Sequence, residues 1–359
     1  MDENNTNHPN IEDKYTKNVL KLNFCPICGQ KIPENQKGKY CIKCGVDLYY
    51  VQEHMRVPSP HNLKSLNPPI SSTQRLSDDE LSHLKDHKLW GAGASIGLTF
   101  AGFVSMNIIA AMVIFIIIFL NIGSGNLLDL MENPYVTIYS SLAELIFILI
   151  PVLYVGRFLK KPSLSNRFAI LGFTTRGYSK IGILKEVLIG LSFAIIGIFV
   201  VLFASIFMQI LLELIFGTDI VFELGGSGSE IDAIIYNADP LSLIFLIVTM
   251  ILVIGTSEEL LFRGFLQKGL TRTIGNRWGI LVTALIFSAI HLIGIFLLIL
   301  TPLAFFISFL LSFLPYLAIS LLLGLLFYWR KENLIAVAIT HGVYDVLTIL
   351  LVFMLYNIF

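Results

Sequence analysis

Charged side chains are scarce in this chain. Asp, Glu, Lys and Arg make up 14% of its 359 residues, against about 25% in ordinary soluble domains. The 25 basic and 25 acidic side chains cancel to a formal net charge of zero, which removes the global basic field expected of a nucleic-acid binder. Cysteine is confined to one short stretch: all four lie between Cys25 and Cys44. With none in the apolar part, disulfides explain them poorly, and a reduced cytoplasmic metal site explains them better. Histidine nearly vanishes beyond residue 88, where only His291 and His341 remain. The N-terminus, MDENNTNHPNIEDKYTKN, is polar and acidic, without the basic-then-apolar order of a signal peptide. The first ~90 residues therefore read as a cytoplasmic domain rather than a cleaved leader.

What is abundant is apolar surface. Hydrophobic residues make up 55% of the chain and its mean hydropathy is +0.76. They gather in runs of about 20, each long enough to cross a hydrocarbon core of ~30 Å. The expected fold is all-α: a polytopic bundle of about seven transmembrane spans, preceded by a small zinc ribbon and a linker. The spans are expected near 95–120, 136–158, 183–215, 241–262, 279–299, 302–328 and 334–356.

Five segments divide the chain. Residues 1–20 are Asn-rich and read as a disordered tail. Residues 21–50 hold Cys25-Pro-Ile-Cys28-Gly and Cys41-Ile-Lys-Cys44-Gly. Each CxxC turn points two thiolates at one metal, and four thiolates in tetrahedral array suit a structural zinc with no open position. Tyr40, Leu48 and Tyr49 are available as a miniature core. The ribbon lacks a basic stripe with stacking aromatics, so nothing in it supports nucleic acid as a partner, and its partner is unspecified. Residues 51–76 are Pro- and Ser-rich and read as a linker. Residues 77–90 open with the capping box Ser77-Asp-Asp-Glu80, and Leu81, Leu84 and Leu89 give one apolar face, as in a helix lying on the membrane surface. Residues 91–359 form the membrane domain.

Loop charge gives an orientation. The loop after the second span carries Lys160, Lys161, Arg167, Arg176 and Lys180. The loop after the fourth carries Lys268, Arg272 and Arg277, and the one after the sixth carries Arg330 and Lys331. The loops after the first and third spans hold acids and no Lys or Arg. By the positive-inside rule the N-terminus and ribbon face the cytoplasm and the C-terminus the outside.

Ionisable groups within apolar spans cost at least ~2.5 kcal/mol each on insertion scales, so each calls for a reason. Away from the span ends they are Glu144, Glu258, Glu259, His291, His341 and Asp345. With Lys268 as the interfacial anchor, Glu258 lies about 15 Å below the cytoplasmic surface, His291 about 18 Å and His341 about 10 Å, with Asp345 one turn deeper. Glu259 and Arg263, Phe287 and His291, and His341 and Asp345 are i,i+4 pairs, each sharing a helix face. Adjacent Glu258 and Glu259 point ~100° apart and cannot do the same job. Glu144 stands alone in the second span, where either a helix-packing hydrogen bond or a cavity lining would account for it.

Glu258-Glu259-x-x-x-Arg263, Phe287-x-x-x-His291 and His341-x-x-x-Asp345, on three successive spans, resemble the motifs of the CAAX-protease and bacteriocin-processing (CPBP) family. This is also called the Abi or type II CAAX prenyl endopeptidase family, of intramembrane glutamic endopeptidases. The likeness covers residues 240–350, roughly a third of the chain. It implies an intramembrane protease acting on membrane-associated proteins or peptides, including lipidated CAAX tails or bacteriocin leaders. By analogy Glu258 is the general base, His291 helps hold the attacking water, and His341 donates to the oxyanion. Glu259 pairs with Arg263 in support, and Phe287 packs. Where the family shows Asn or Asp, Asp345 either orients His341 or, if protonated, donates.

Glu258, His291 and His341 are also ligand types of a catalytic zinc, but no HExxH is present. A metal-free water is the expectation and metal ligation its alternative. Two other functions fit a buried Glu/His set: a proton-coupled transporter, against which no inverted repeat stands out, and a non-catalytic binding or immunity protein, against which the intact Glu and His residues speak.

Overall fold

The computed structural model describes residues 22, 24, 25, 31, 32, 48, 51, 89–121, 130, 132–225, 234, 235, 238–297 and 301–358. The chain divides into two compact units, Met1–Gln74 and Arg75–Phe359. In the first, Phe24 and Lys31 form an antiparallel bridge. Cys25 is buried with Ile32, Leu48 and Val51, and Leu22 packs on them. Cys28, Cys41, Cys44, Tyr40 and Tyr49 lie outside the described residues, as do the expected tail, most of the linker and the surface helix up to residue 88.

The second unit is a helix bundle: α1 (Ala92–Leu120), α2 (Pro134–Phe158), α3 (Leu164–Leu171), α4 (Lys180–Phe216), α5 (Thr218–Gly225), α6 (Pro240–Ile274), α7 (Asn276–His291), α8 (Pro302–Trp329) and α9 (Ile335–Ile358). Three of these begin with the same chemistry. Asn133, Asp239 and Thr301 cap α2, α6 and α8 with side-chain oxygens that accept backbone N–H bonds, and each is followed by Pro at the first helical position. The proline lacks an N–H that would otherwise be orphaned there, and its fixed φ starts the helix.

Among the described residues, six helices are long and apolar enough to span a membrane: α1, α2, α4, α6, α8 and α9. The fifth expected span, 279–299, differs. Its α-helix, α7, has 16 residues, about 24 Å at 1.5 Å per residue, and falls short of a ~30 Å core. The helix stops at His291, and a 3-10 turn, Ile293–Leu297, follows. This segment still runs antiparallel to α8. Ile280 and Gln267 lie against Gly324 near the end of α8, and Phe296 packs against Phe305 near its start, ring centroids 5.0 Å apart.

Helix α6 is the axis. Leu260 through Leu270 are buried without interruption, the mark of a helix surrounded on every side. Its geometry is interrupted twice by π-helical stretches, Met250–Ile254 and Leu260–Gln267, which bracket a short α-segment, Gly255–Glu259. Such π-helical stretches inside α-helices are frequent at functional sites.

Lys268, expected at the interface, is instead buried. It donates from Nζ to the Ile170 carbonyl (3.1 Å) and lies 3.6 Å from Glu332 Oε2. Leu334 N donates to the carbonyl of Gly172, whose φ of +101° closes α3. Arg330 grips the buried Glu186 of α4 through two bonds, 2.6 and 3.1 Å. The three loops carrying the basic residues thus meet at one end of the bundle, and a strongly hydrated ammonium is accepted inside because a carbonyl and a carboxylate replace its water. At the opposite end, the Tyr135 hydroxyl donates to Asp239 and the Ser308 hydroxyl to the Leu224 carbonyl.

Candidate active site

Glu258 and Glu259 emerge from the α-segment between the two π-stretches. Directly beside them α6 crosses α9 through two glycines. A methyl group at Gly255 would lie 2.6 Å from the backbone nitrogen of Gly342, and one at Gly342 would lie 2.7 Å from the Cα of Ile251. Only hydrogen fits on either side, so the backbones approach as closely as small-residue contacts allow in membrane helices. Since Gly342 adjoins His341, this contact sets His341 against the two glutamates.

The polar groups then form one connected cluster. Arg263, fully buried, donates from Nη1 to Glu259 Oε1 at 2.8 Å and from Nη2 to Ser320 Oγ at 2.9 Å. The same Glu259 oxygen lies 2.7 Å from His341 Nδ1. A carboxylate that already accepts from Arg263 can only accept again, so Nδ1 of His341 carries the hydrogen. In His291 Nδ1 is 2.8 Å from the Phe287 carbonyl, which likewise only accepts. Both imidazoles therefore present Nε2 to Glu258. The His291 Nε2 to Glu258 Oε1 distance is 3.7 Å and the His341 Nε2 to Glu258 Oε2 distance is also 3.7 Å. Asp345 Oδ2 lies 3.6 Å from His341 Nε2.

These separations exceed a direct hydrogen bond and suit one bridging water at ~2.8 Å from each partner. A carboxylate and two oriented imidazoles around such a water can remove its proton and hold the resulting oxygen in place.

Phe287 forms the floor. Its ring lies 4.7 Å below the Arg263 guanidinium, 4.2 Å from the His291 ring and 6.1 Å from the His341 ring. The stacked cation and ring strengthen one another in a dry site. Sequence reasoning grouped these seven residues, Glu258, Glu259, Arg263, Phe287, His291, His341 and Asp345, and the fold brings all of them together. Glu144 joins them: its Oε2 accepts from the hydroxyl of Ser257, next to Glu258, at 3.4 Å.

Sequence reasoning gave Glu259 one partner where the fold gives it two, and it missed Ser320 and the Gly255–Gly342 crossing. Gly255 and Gly342 were the available signal for the crossing, but glycines are common throughout this chain.

Among curated proteins and among solved structures, no match to the chain is found. A family model does match, over residues 240–347: type II CAAX prenyl endopeptidase Rce1-like. The matched stretch runs from the start of α6 into α9 and so includes every residue of the Glu258 cluster except Glu144. This part of the chain, which carries the polar cluster of the bundle, is thus similar to the type II CAAX prenyl endopeptidase Rce1-like family.

Proposed function

We propose that this protein is a glutamic endopeptidase that hydrolyses a peptide bond of a membrane-associated, lipidated substrate, with Glu258 as the base. The observation that carries the reading is the disposition of the two Nε2 atoms of His291 and His341, each 3.7 Å from a different oxygen of Glu258. Glu258 takes a proton from a water held between it and His291. The water oxygen bonds to the carbonyl carbon, and the carbonyl oxygen becomes an oxyanion. His341 as an imidazolium donates to that oxyanion from Nε2, its Nδ1–H held by Glu259. When the C–N bond breaks, the proton on Glu258 passes to the leaving amine, giving an acid and an amine with Glu258 restored. Asp345, 3.6 Å from the same Nε2, favours by its charge the imidazolium that His341 keeps throughout the cycle.

In this reading the ribbon is a structural module in which Cys25, Cys28, Cys41 and Cys44 hold one zinc. The burial of Cys25 beside Ile32 and Leu48, inside the Phe24–Lys31 bridge, supports it. The basic end of the bundle faces the cytoplasm, as the positive-inside rule requires, and the substrate reaches the site from there.

The test is cleavage of an internally quenched, farnesylated CaaX peptide by the purified full-length chain in lipid nanodiscs. Glu258→Ala and His291→Ala should each lower kcat by a factor on the order of 10³ or more while insertion and melting temperature stay near wild type. Turnover within tenfold of wild type in either variant would exclude its role.

A further inference from the structure

One polar group beside the cluster has no assigned work. Tyr316 stands on α8, one residue after Pro315, and its ring lies 4.8 Å from the His291 ring at an angle of 32°. The Phe287 ring lies 4.2 Å from the same imidazole at 31°. Two rings that close, each tilted by about 30° to the imidazole, cannot occupy one face, so the imidazole is held between them. This matters because His291 is the last residue of α7. Beyond it the chain passes into a 3-10 turn, and no further α-helical turn walls the side chain. Its own helix supplies the Phe287 carbonyl for Nδ1 and the Phe287 ring for one face. The second face comes from α8.

The hydroxyl is the second observation. Phe305, Phe309 and Phe313 stack successively on α8, with centroids 5.9 and 5.3 Å apart. They descend at four-residue spacing toward Tyr316. Along this row the hydroxyl enters only where the row reaches His291. A phenylalanine would stack as well and would spare the membrane interior an O–H. Among the described residues, the hydroxyl of this half-buried tyrosine has no hydrogen-bond partner, yet it lies within electrostatic reach of Glu258 and Asp345. Both of those groups, as carboxylates, can only accept.

We propose that Tyr316 is a further catalytic residue: its ring clamps the His291 imidazole against Phe287, and its hydroxyl donates a hydrogen bond to the carbonyl oxygen of the bound peptide. The hydroxyl's part rests on the protease reading above; the clamp does not. Tyr316→Phe keeps the ring and removes the donor, whereas Tyr316→Leu removes both.

Two measurements on the full-length protein in nanodiscs separate the parts. The first is kcat and KM on the farnesylated CaaX peptide. The second is the rate at which diethyl pyrocarbonate modifies His291, followed by mass spectrometry, which needs no activity. Tyr316→Phe should lower kcat by a factor on the order of 10², as for loss of one oxyanion donor, with KM within about threefold and His291 modification unchanged. Tyr316→Leu should lose at least as much activity and raise the His291 modification rate several-fold. A wild-type kcat in Tyr316→Phe overturns the hydroxyl's role, and an unchanged His291 rate in Tyr316→Leu overturns the clamp. If the wild-type protein cleaves no CaaX peptide, the protease reading fails and the hydroxyl's role falls with it, while the labelling still decides the clamp.

Discussion

Glu259 carries more of the site than its neighbour's chemistry suggests. One of its oxygens accepts both from Arg263 and from His341 Nδ1, so it neutralises a cation inside the bundle and also fixes the tautomer and plane of a histidine. Removing it by Glu259→Ala leaves the Arg263 charge buried with only the Ser320 hydroxyl and carbonyl as acceptors. Breaking a buried ion pair in this way costs about 3–5 kcal/mol. We expect Glu259→Ala to lower the melting temperature more than Glu258→Ala does, and to lower kcat as well. The double variant Glu259→Ala/Arg263→Ala should recover part of the lost stability, because no unpaired charge remains, but none of the activity, because His341 is still unheld. Additive losses of stability in a thermal-melt cycle would show that the pair is not coupled. Both i,i+4 partners were legible from spacing alone, since a helix puts them on one face. The bond from Glu259 to His341, 82 residues further along, was not, because it depends on where two helices cross.

At the scale of elements, the crossing of α6 and α9 is made by glycine against glycine. A methyl group at Gly342 would meet the backbone of Ile251 at 2.7 Å, and neither backbone can yield without moving its helix. Gly342→Ala should therefore push α9 outward by roughly an ångström, carrying His341 away from Glu258. Displacements of that size cost on the order of 10²-fold in rate. The expected outcome is a loss of kcat of that order in a protein that still inserts and folds, and an active Gly342→Ala enzyme would show that the close approach is not what sets the site. The same helix scale explains why the fifth expected span is not one unbroken α-helix. Hydropathy averaged over 279–299 registers a long apolar run, but it does not register that the backbone leaves the α-helix after His291. Irregular backbone at membrane depth is tolerated where other protein covers it, and here α8 does so with Phe305 and Phe309 against Phe296.

Across the whole molecule, the loops following α2, α6 and α8 meet at one end, joined by Lys268, Glu332, Gly172 and Leu334. If that end is cytoplasmic, Ser227→Cys in the loop between α5 and α6 should react with an impermeant thiol reagent applied to intact cells. Lys161→Cys should react only after permeabilisation. The reverse labelling would invert the protein and move its substrate pool to the outer face. The ribbon is testable in the same preparation. Elemental analysis should find one zinc per chain, lost in Cys25→Ser/Cys28→Ser while cleavage of the CaaX peptide persists. Wild-type protein without tightly bound zinc would refute the ribbon's metal. A variant that loses catalysis together with its zinc would refute their independence.

Local rules were enough for the membrane class, most of the spans, the sidedness of the loops relative to one another, and the residues of the cluster. Length of an apolar run, charge in a loop and spacing along a helix are each properties of neighbouring residues, and an ionisable side chain in hydrocarbon needs a reason wherever the rest of the chain lies. Tertiary structure alone decided the contacts between distant segments: Glu144 on Ser257, Arg263 on Ser320, Tyr316 on His291, and Lys268 withdrawn from the surface to a carbonyl of α3. These depend on which helices pack side by side and at what depth. That choice rests on summed shape complementarity across the bundle, with the glycines of α6 and α9 setting its closest approach, and no window of sequence contains both sides of such a contact.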